Sequence, residues 1–230
     1  LLEQNRSLPA QTAILGVCED TLPVLLDLKD PTPGALLVIG DERMEQLRLL
    51  RNAVASVARR NSPHGIQFMV ISNDPNSWKQ WISGQGFERY CLAVESADSE
   101  TVGDWIIRLA DWTEQRRLGQ RGGPPVLLVM DTLSFLARIP YDVRLNFEWM
   151  AKEGPYAQMW PLAAISTRLV KELSGRRLLR SFRTRLLGRV EDPAVYGEVA
   201  GGEGLSTGAM KAGQFAVRMG ENWLRFCQPG

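Results

Sequence analysis

Histidine is almost missing from this chain. His64 stands alone, within Asn61-Ser62-Pro63-His64-Gly65, a composition that reads as a solvated turn. A single loop histidine argues against Ser-His-Asp and Cys-His catalysis and against histidine-bearing zinc sites. Cysteine is scarce too. Cys18, Cys91 and Cys227 lie far apart in apolar or strand-like stretches, which reads as reduced core thiols of a cytosolic protein and not as a disulfide framework. No apolar run approaches the ~20 residues that span a bilayer, and no signal peptide is visible, so no membrane contact is expected from this segment. There is no charge excess either. With 27 Lys+Arg against 26 Asp+Glu the formal charge is +1, and any charge-based partner must be recognised locally.

What is present is a chain of 230 residues, 44% of them hydrophobic, enough for a substantial core. We read it as one α/β domain over 1–230, with an opening strand hairpin and turn over 1–34 and a core over 35–230. Because it opens on Leu1, it reads as part of a longer chain, and the soluble part of a membrane-anchored protein is within that reading. Strands are expected at Thr12 to Val17, Pro23 to Leu28, Ala35 to Ile39, Ile66 to Ile71, Tyr90 to Val94 (read as a third buried strand), Pro125 to Asp131, Met159 to Ser166 and Arg183 to Val190. Helices are expected from Glu42 to Arg60, Ser77 to Ile82, Asp98 to Leu118 and Tyr141 to Glu153. Phe215 to Met219 and Trp223 to Phe226 form a closing hairpin around Gly220-Glu221-Asn222. Alternating strands and helices predict a mostly parallel sheet with helices on both faces, flanked by hairpins at each terminus.

Ala35-Leu36-Leu37-Val38-Ile39-Gly40 is a buried-strand pattern that runs into a helix, the frame of a phosphate-binding loop. Laying G-x-x-x-x-G-K-[ST] on Gly40 puts Glu45 at the second glycine, Gln46 at the lysine and Leu47 at the hydroxyl. A carboxylate in the loop repels phosphate, Gln46 brings no charge, and Leu47 has no oxygen for magnesium. The frame is there without its chemistry. A second apolar strand, Pro125 to Met130, ends on Asp131, at the edge where open α/β sheets place ligands.

In this order the chain resembles the FtsK/SpoIIIE and HerA group of RecA-like motor ATPases, which includes the EssC and EccC secretion ATPases. Ile14-Leu15-Gly16-Val17 and Pro23 to Leu28 resemble the group's opening strands, and Gly34 to Gly40 its P-loop strand. Pro125 to Asp131 resembles the Walker B strand, Ala163-Ala164-Ile165-Ser166-Thr167-Arg168 a sensor strand with Thr167 in place of glutamine, Arg183-Thr184-Arg185-Leu186 a later strand, and Gly208 to Gly213 a glycine-containing loop. The resemblance implies a RecA-like fold, a nucleotide site at Gly40, Asp41, Arg43, Gln46, Leu47, Asp131, Thr132 and Thr167, and partners that are other RecA-like domains in a ring or tandem array. Thr132 stands where the group has its catalytic glutamate. Loss of the lysine, hydroxyl, loop glycine and glutamate together implies a pseudo-ATPase with no catalytic residue and no resident cofactor or metal, and Asp131 then reads as the polar end of a buried strand.

Two other readings stand beside it. An atypical ATPase could use ATP and magnesium with Arg43 or Arg48 near the helix start, although Glu42 and Glu45 flank that position. A DNA-binding module of a translocase would contact phosphates through Lys and Arg in a salt-dependent way. The local basic cluster of Arg176, Arg177, Arg180, Arg183, Arg185 and Arg189 offers candidate trans-acting or partner arginines at Arg180, Arg183 and Arg185. Trp78, Trp81, Phe87 and Tyr90 are read as core packing in preference to an exposed partner patch. Gly197 to Gly204 is read as a mobile loop carrying two acids, Glu198 and Glu203.

Overall fold

The computed structural model of the chain describes residues 9, 11–172, 176–192, 197, 199 and 210–228. One ten-stranded sheet organises it, in the order β2-β1-β10-β9-β8-β3-β7-β6-β4-β5. The strands are β1 (Thr12–Cys18), β2 (Pro23–Asp27), β3 (Leu36–Ile39), β4 (Gln67–Ser72), β5 (Cys91–Ser96), β6 (Val126–Met130), β7 (Met159–Ile165), β8 (Thr184–Leu187), β9 (Gln214–Met219) and β10 (Asn222–Cys227). Strands β8-β3-β7-β6-β4-β5 are parallel, and β9, β10, β1 and β2 continue the sheet antiparallel. The α/β architecture anticipated from the sequence is present. The terminal hairpins are not separate caps: both are built into the same sheet, because β1 pairs β10 and β9 pairs β8.

The central strands are apolar throughout because helices cover both of their faces. Alternation of period two sends Leu37, Ile39, Leu128 and Met130 to one side, against α3 (Val102–Arg117) and α4 (Tyr141–Glu153). Leu36, Val38, Leu127 and Val129 face the other side, against α1 (Arg43–Ala58) and α2 (Pro75–Gln85). The β1–β2 hairpin packs Ala13, Leu15, Leu26 and Leu28 into that second layer, beside Leu50, Val54 and Val57 of α1. Ser56 of α1 stitches it down, its Oγ accepting the Ile14 N–H at 2.9 Å.

Helix α2 starts where Asp74 accepts the Ser77 N–H at 3.1 Å with Pro75 following, and it stops at Gly86, whose φ of +70° suits a left-handed cap. Its aromatics do pack inward. Trp78 is fully buried and begins an edge-to-face series through Trp81, Phe87 and Tyr90, with the Arg51 guanidinium over both indoles.

Four expectations need correction. β5 is the sheet's edge and is only half-buried along its length, since no strand covers its far side. The thiols are free but not core groups: Cys227 is exposed, and Cys18 and Cys91 are half-buried. Desolvation pushes the Cys91 thiol up to about 11. The strand expected from Arg183 to Val190 is confined to Thr184–Leu187, and residues after Ser166 include two short helices, α5 (Thr167–Glu172) and α6 (Arg176–Ser181), which no sequence pattern announced. Most of the Gly197 to Gly204 segment, and residues 208 and 209 of the Gly208 to Gly213 segment, lie outside the described residues. His64 is exposed in its turn. Among the described residues, no helix is long and apolar enough to cross a membrane, and no cluster of His, Cys, Asp and Glu could hold a metal ion.

β1 and β10 approach each other closely at Gly16. The register of β1 on β2 shifts between Ile14 and Gly16. A Cβ added at Gly16 would lie 2.3 Å from the Phe226 ring and 2.5 Å from the Cys227 carbonyl. Gly16→Ala is therefore expected to destabilise the chain by about 1–3 kcal/mol, read as a lower midpoint in urea. An unchanged midpoint would mean that the hairpin is not held this closely.

Candidate functional site at the carboxyl edge of the sheet

The ends of β3, β7, β8, β4 and β6 converge at the carboxyl edge of the parallel strands, where such sheets bind ligands. Only Gly40, Asp41 and Glu42 separate β3 from α1. The turn is tight because the chain is clamped on both sides. The Gly40 N–H donates to the Ile165 carbonyl at 3.2 Å and the Asp41 N–H to the Arg189 carbonyl at 2.9 Å. Any side chain at Gly40 would press on the Arg189 carbonyl at 3.1 Å.

Gln46 stands one turn into α1 and is buried. Its Nε2 donates to the Gly40 carbonyl at 2.9 Å and to the Ile165 carbonyl at 3.0 Å, so the amide bridges the ends of β3 and β7. Both of its donor hydrogens are engaged. Leu47 beside it belongs to the apolar layer under the sheet. Glu45 turns toward the start of β9, accepting the Gly213 N–H at 2.7 Å, while Arg43 in the first turn is exposed.

The Asp41 carboxylate lies over this edge and is surrounded by donors. One oxygen accepts the Thr167 N–H at 2.9 Å, the Thr167 hydroxyl lies 2.8 and 2.9 Å from the two oxygens, and the Glu191 N–H donates at 2.9 Å. An anion is thus already held where β3, β7 and β8 end, and it is the chain's own.

Asp131 is committed as fully. Its Oδ2 accepts the Ser72 hydroxyl at 2.6 Å and the Trp78 indole N–H at 2.9 Å, and its Oδ1 accepts the Asn73 N–H at 3.3 Å. The carboxylate docks α2 on β4. Thr132 is buried, and its hydroxyl accepts the Ser134 N–H at 3.1 Å, shaping the turn after β6.

The arginine cluster divides. Arg185 is drawn inward, its guanidinium donating to the Leu179 carbonyl at 2.8 Å and the Val199 carbonyl at 3.1 Å, and desolvation pulls its pKa below the ordinary value. Arg180 is exposed. Arg183 is exposed beside Tyr156 and donates to the Thr32 carbonyl at 3.0 Å. It precedes β8, level with the start of β3, so roughly 15 Å of strand, at ~3.3 Å per residue, separates it from Gly40. The side chains of Arg176 and Arg177 lie outside the described residues. Arg189 is the member at the site itself, its carbonyl held by Asp41 and its guanidinium 3.8 Å from Glu42.

The structure therefore brings Gly40, Asp41, Gln46 and Thr167 together, places Asp131 and Thr132 on neighbouring strand ends, leaves Arg43 in solvent and puts Leu47 in the core. Sequence reading missed Glu191, Ser72 and Trp78. A backbone amide and an indole arriving from distant turns carry no motif. If this clasp stabilises the edge, Gln46→Leu and Asp41→Ala should each cost about 1–3 kcal/mol in urea unfolding, the price of stranding buried partners. Wild-type stability in both variants would contradict it.

No protein-family model matches the chain, and no curated protein matches it in sequence. Solved structures do. The cytoplasmic domain of the Thermomonospora curvata type VII secretion ATPase EccC superposes with a TM-score of 0.71 at 19% identity, covering 97% of this chain and 29% of that one. The cytoplasmic domain of EssC gives 0.67 at 15%, covering 97% and 43%. The pCW3 conjugation coupling protein TcpA, solved with ATPγS, gives 0.66 at 14%, covering 98% and 67%. The chain spans less than half the length of the EccC and EssC structures that it matches. Its fold is that of the FtsK/EssC-like RecA-type ATPase domains.

Proposed function

We propose that this chain is a RecA-type ATPase-like module of a larger secretion, conjugation or translocation motor, and that it serves structure or regulation without hydrolysing ATP. One observation supports the reading: the Gln46 amide bridges the Gly40 and Ile165 carbonyls and the Asp41 carboxylate holds the Thr167 and Glu191 N–H groups, at the strand-to-helix turn where a P-loop would hold phosphate. A phosphate arriving there must displace a carboxylate from its N–H and hydroxyl partners and then remain near it. Two like charges ~4 Å apart repel by about 4 kcal/mol at an effective dielectric of ~20. No lysine opposes that repulsion at position 46, and no carboxylate polarises water at position 132.

Partners follow from the same comparison. EccC and EssC are long proteins of which this chain matches a part, and one EccC structure is described as holding ATPases 2 and 3. Neighbouring RecA-like domains, in tandem or in a ring, are the partners that this reading gives the chain. Arg180 and Arg183 are exposed and so accessible to such a neighbour, although Arg183 also donates to the Thr32 carbonyl, whereas Arg185 has its terminal nitrogens bonded within its own chain.

Calorimetric titration of the purified chain with ATP and magnesium, repeated with ADP, tests the proposal. No saturable heat at millimolar nucleotide is expected. Micromolar binding would replace this reading with an atypical nucleotide site, and loss of that binding in Arg43→Ala would locate it.

A further inference from the structure

Away from the strand-edge site, the outer surface of the sheet's first helical layer carries a groove of about 390 Å³ between α3 and α4. Ile107, Ala110, Asp111 and Glu114 line it from α3 at the spacing of one helical face, and Asn146 and Trp149 line it from α4. The helices run side by side in the same direction, since each links consecutive parallel strands. At the lower end of the groove Arg117 of α3 reaches across to pair with Glu153 of α4. Above this bridge the chemistry is half complete. Asp111 and Glu114 are exposed carboxylates, and among the described residues neither has an ion-pair partner; Asp111 accepts only the Gln115 side-chain amide, at 2.8 Å. Ile107 is 45% exposed, and Trp149 is half-buried across from it.

We propose that this groove is a docking site for a partner protein, and that it receives an arginine flanked by an apolar residue. The chemistry is complementary at each point. A guanidinium offers a planar fork of N–H donors to the two carboxylates and a flat cation to the indole face of Trp149, which a lysine ammonium matches less well. The apolar neighbour covers Ile107, which is otherwise left in water. The Arg117–Glu153 pair shows that the space between these helices accepts a guanidinium, and a partner arginine would add the next rung above it.

The site stands apart from the nucleotide question and is tested by itself. An acetylated, amidated Leu-Arg-Leu peptide is titrated into the intact chain at low ionic strength, with NMR shifts followed by residue, alongside the same peptide carrying citrulline, which keeps the shape and loses the charge. The expected result is saturable binding that shifts Ile107 and the Trp149 indole, weakens with salt, and falls at least tenfold both for citrulline and for the Asp111→Asn, Glu114→Gln double variant. Those exposed, isosteric changes leave the fold intact, which circular dichroism checks. Equal affinity for arginine and citrulline, shifts centred elsewhere, unchanged binding to the double variant, or no saturable binding at millimolar peptide would overturn the proposal.

Discussion

The carboxamide of Gln46 is the contact on which the rest of this edge depends. It ties the Gly40 carbonyl at the end of β3 to the Ile165 carbonyl at the end of β7, and so it sets where α1 begins. The Gly40 carbonyl lies past the end of β3, where a buried carbonyl without a donor is costly, and the Ile165 carbonyl, which already accepts the Gly40 N–H, takes Gln46 as a second donor. A glutamine is long enough to reach both and carries two donors. A lysine would bring a charge requiring an anion or water nearby, whereas the two donors of the neutral amide are satisfied by the protein alone.

Once β3 and β7 are joined in this way, the other polar groups of the edge fall into place around the join. Asp41 gathers Thr167 from the segment after β7 and Glu191 from the segment after β8, so three strand ends share one carboxylate. Asp131 performs the same service one strand over, fixing α2 through Trp78 and Ser72. Under the proposed function these residues stand where a motor domain would handle phosphate and metal, and the contacts that each makes are structural ones. The outcome is an edge whose acids and amides answer to one another.

Much of the fold was legible because period and composition speak directly for strands covered on both faces. Leu36 to Ile39 and Val126 to Met130 are uninterrupted apolar runs, and α3 shows its buried stripe in Val102, Ile106 and Leu109. The boundaries of α4, Tyr141–Glu153, could be read directly from the sequence. Less legible was anything set by position in the sheet. Leu92, Ala93 and Val94 look as apolar as a central strand, yet β5 lies at the edge, and only topology decides that. Short helices α5 and α6 have too few turns to display a period. Within the site, the missing lysine and glutamate were visible at Gln46 and Thr132. What replaced them was not, because the indole of Trp78 and the amide of Glu191 reach the edge through tertiary contacts that leave no spacing in the sequence.

The proposed function requires that the phosphate position be permanently filled by the chain itself. A crystal structure grown with magnesium and ATPγS at millimolar concentration tests it most directly. In the expected structure Gln46 still bridges Gly40 and Ile165, Asp41 still receives Thr167 and Glu191, and no triphosphate lies over the start of α1. A triphosphate bound there, with Gln46 swung away and Asp41 displaced, would contradict it.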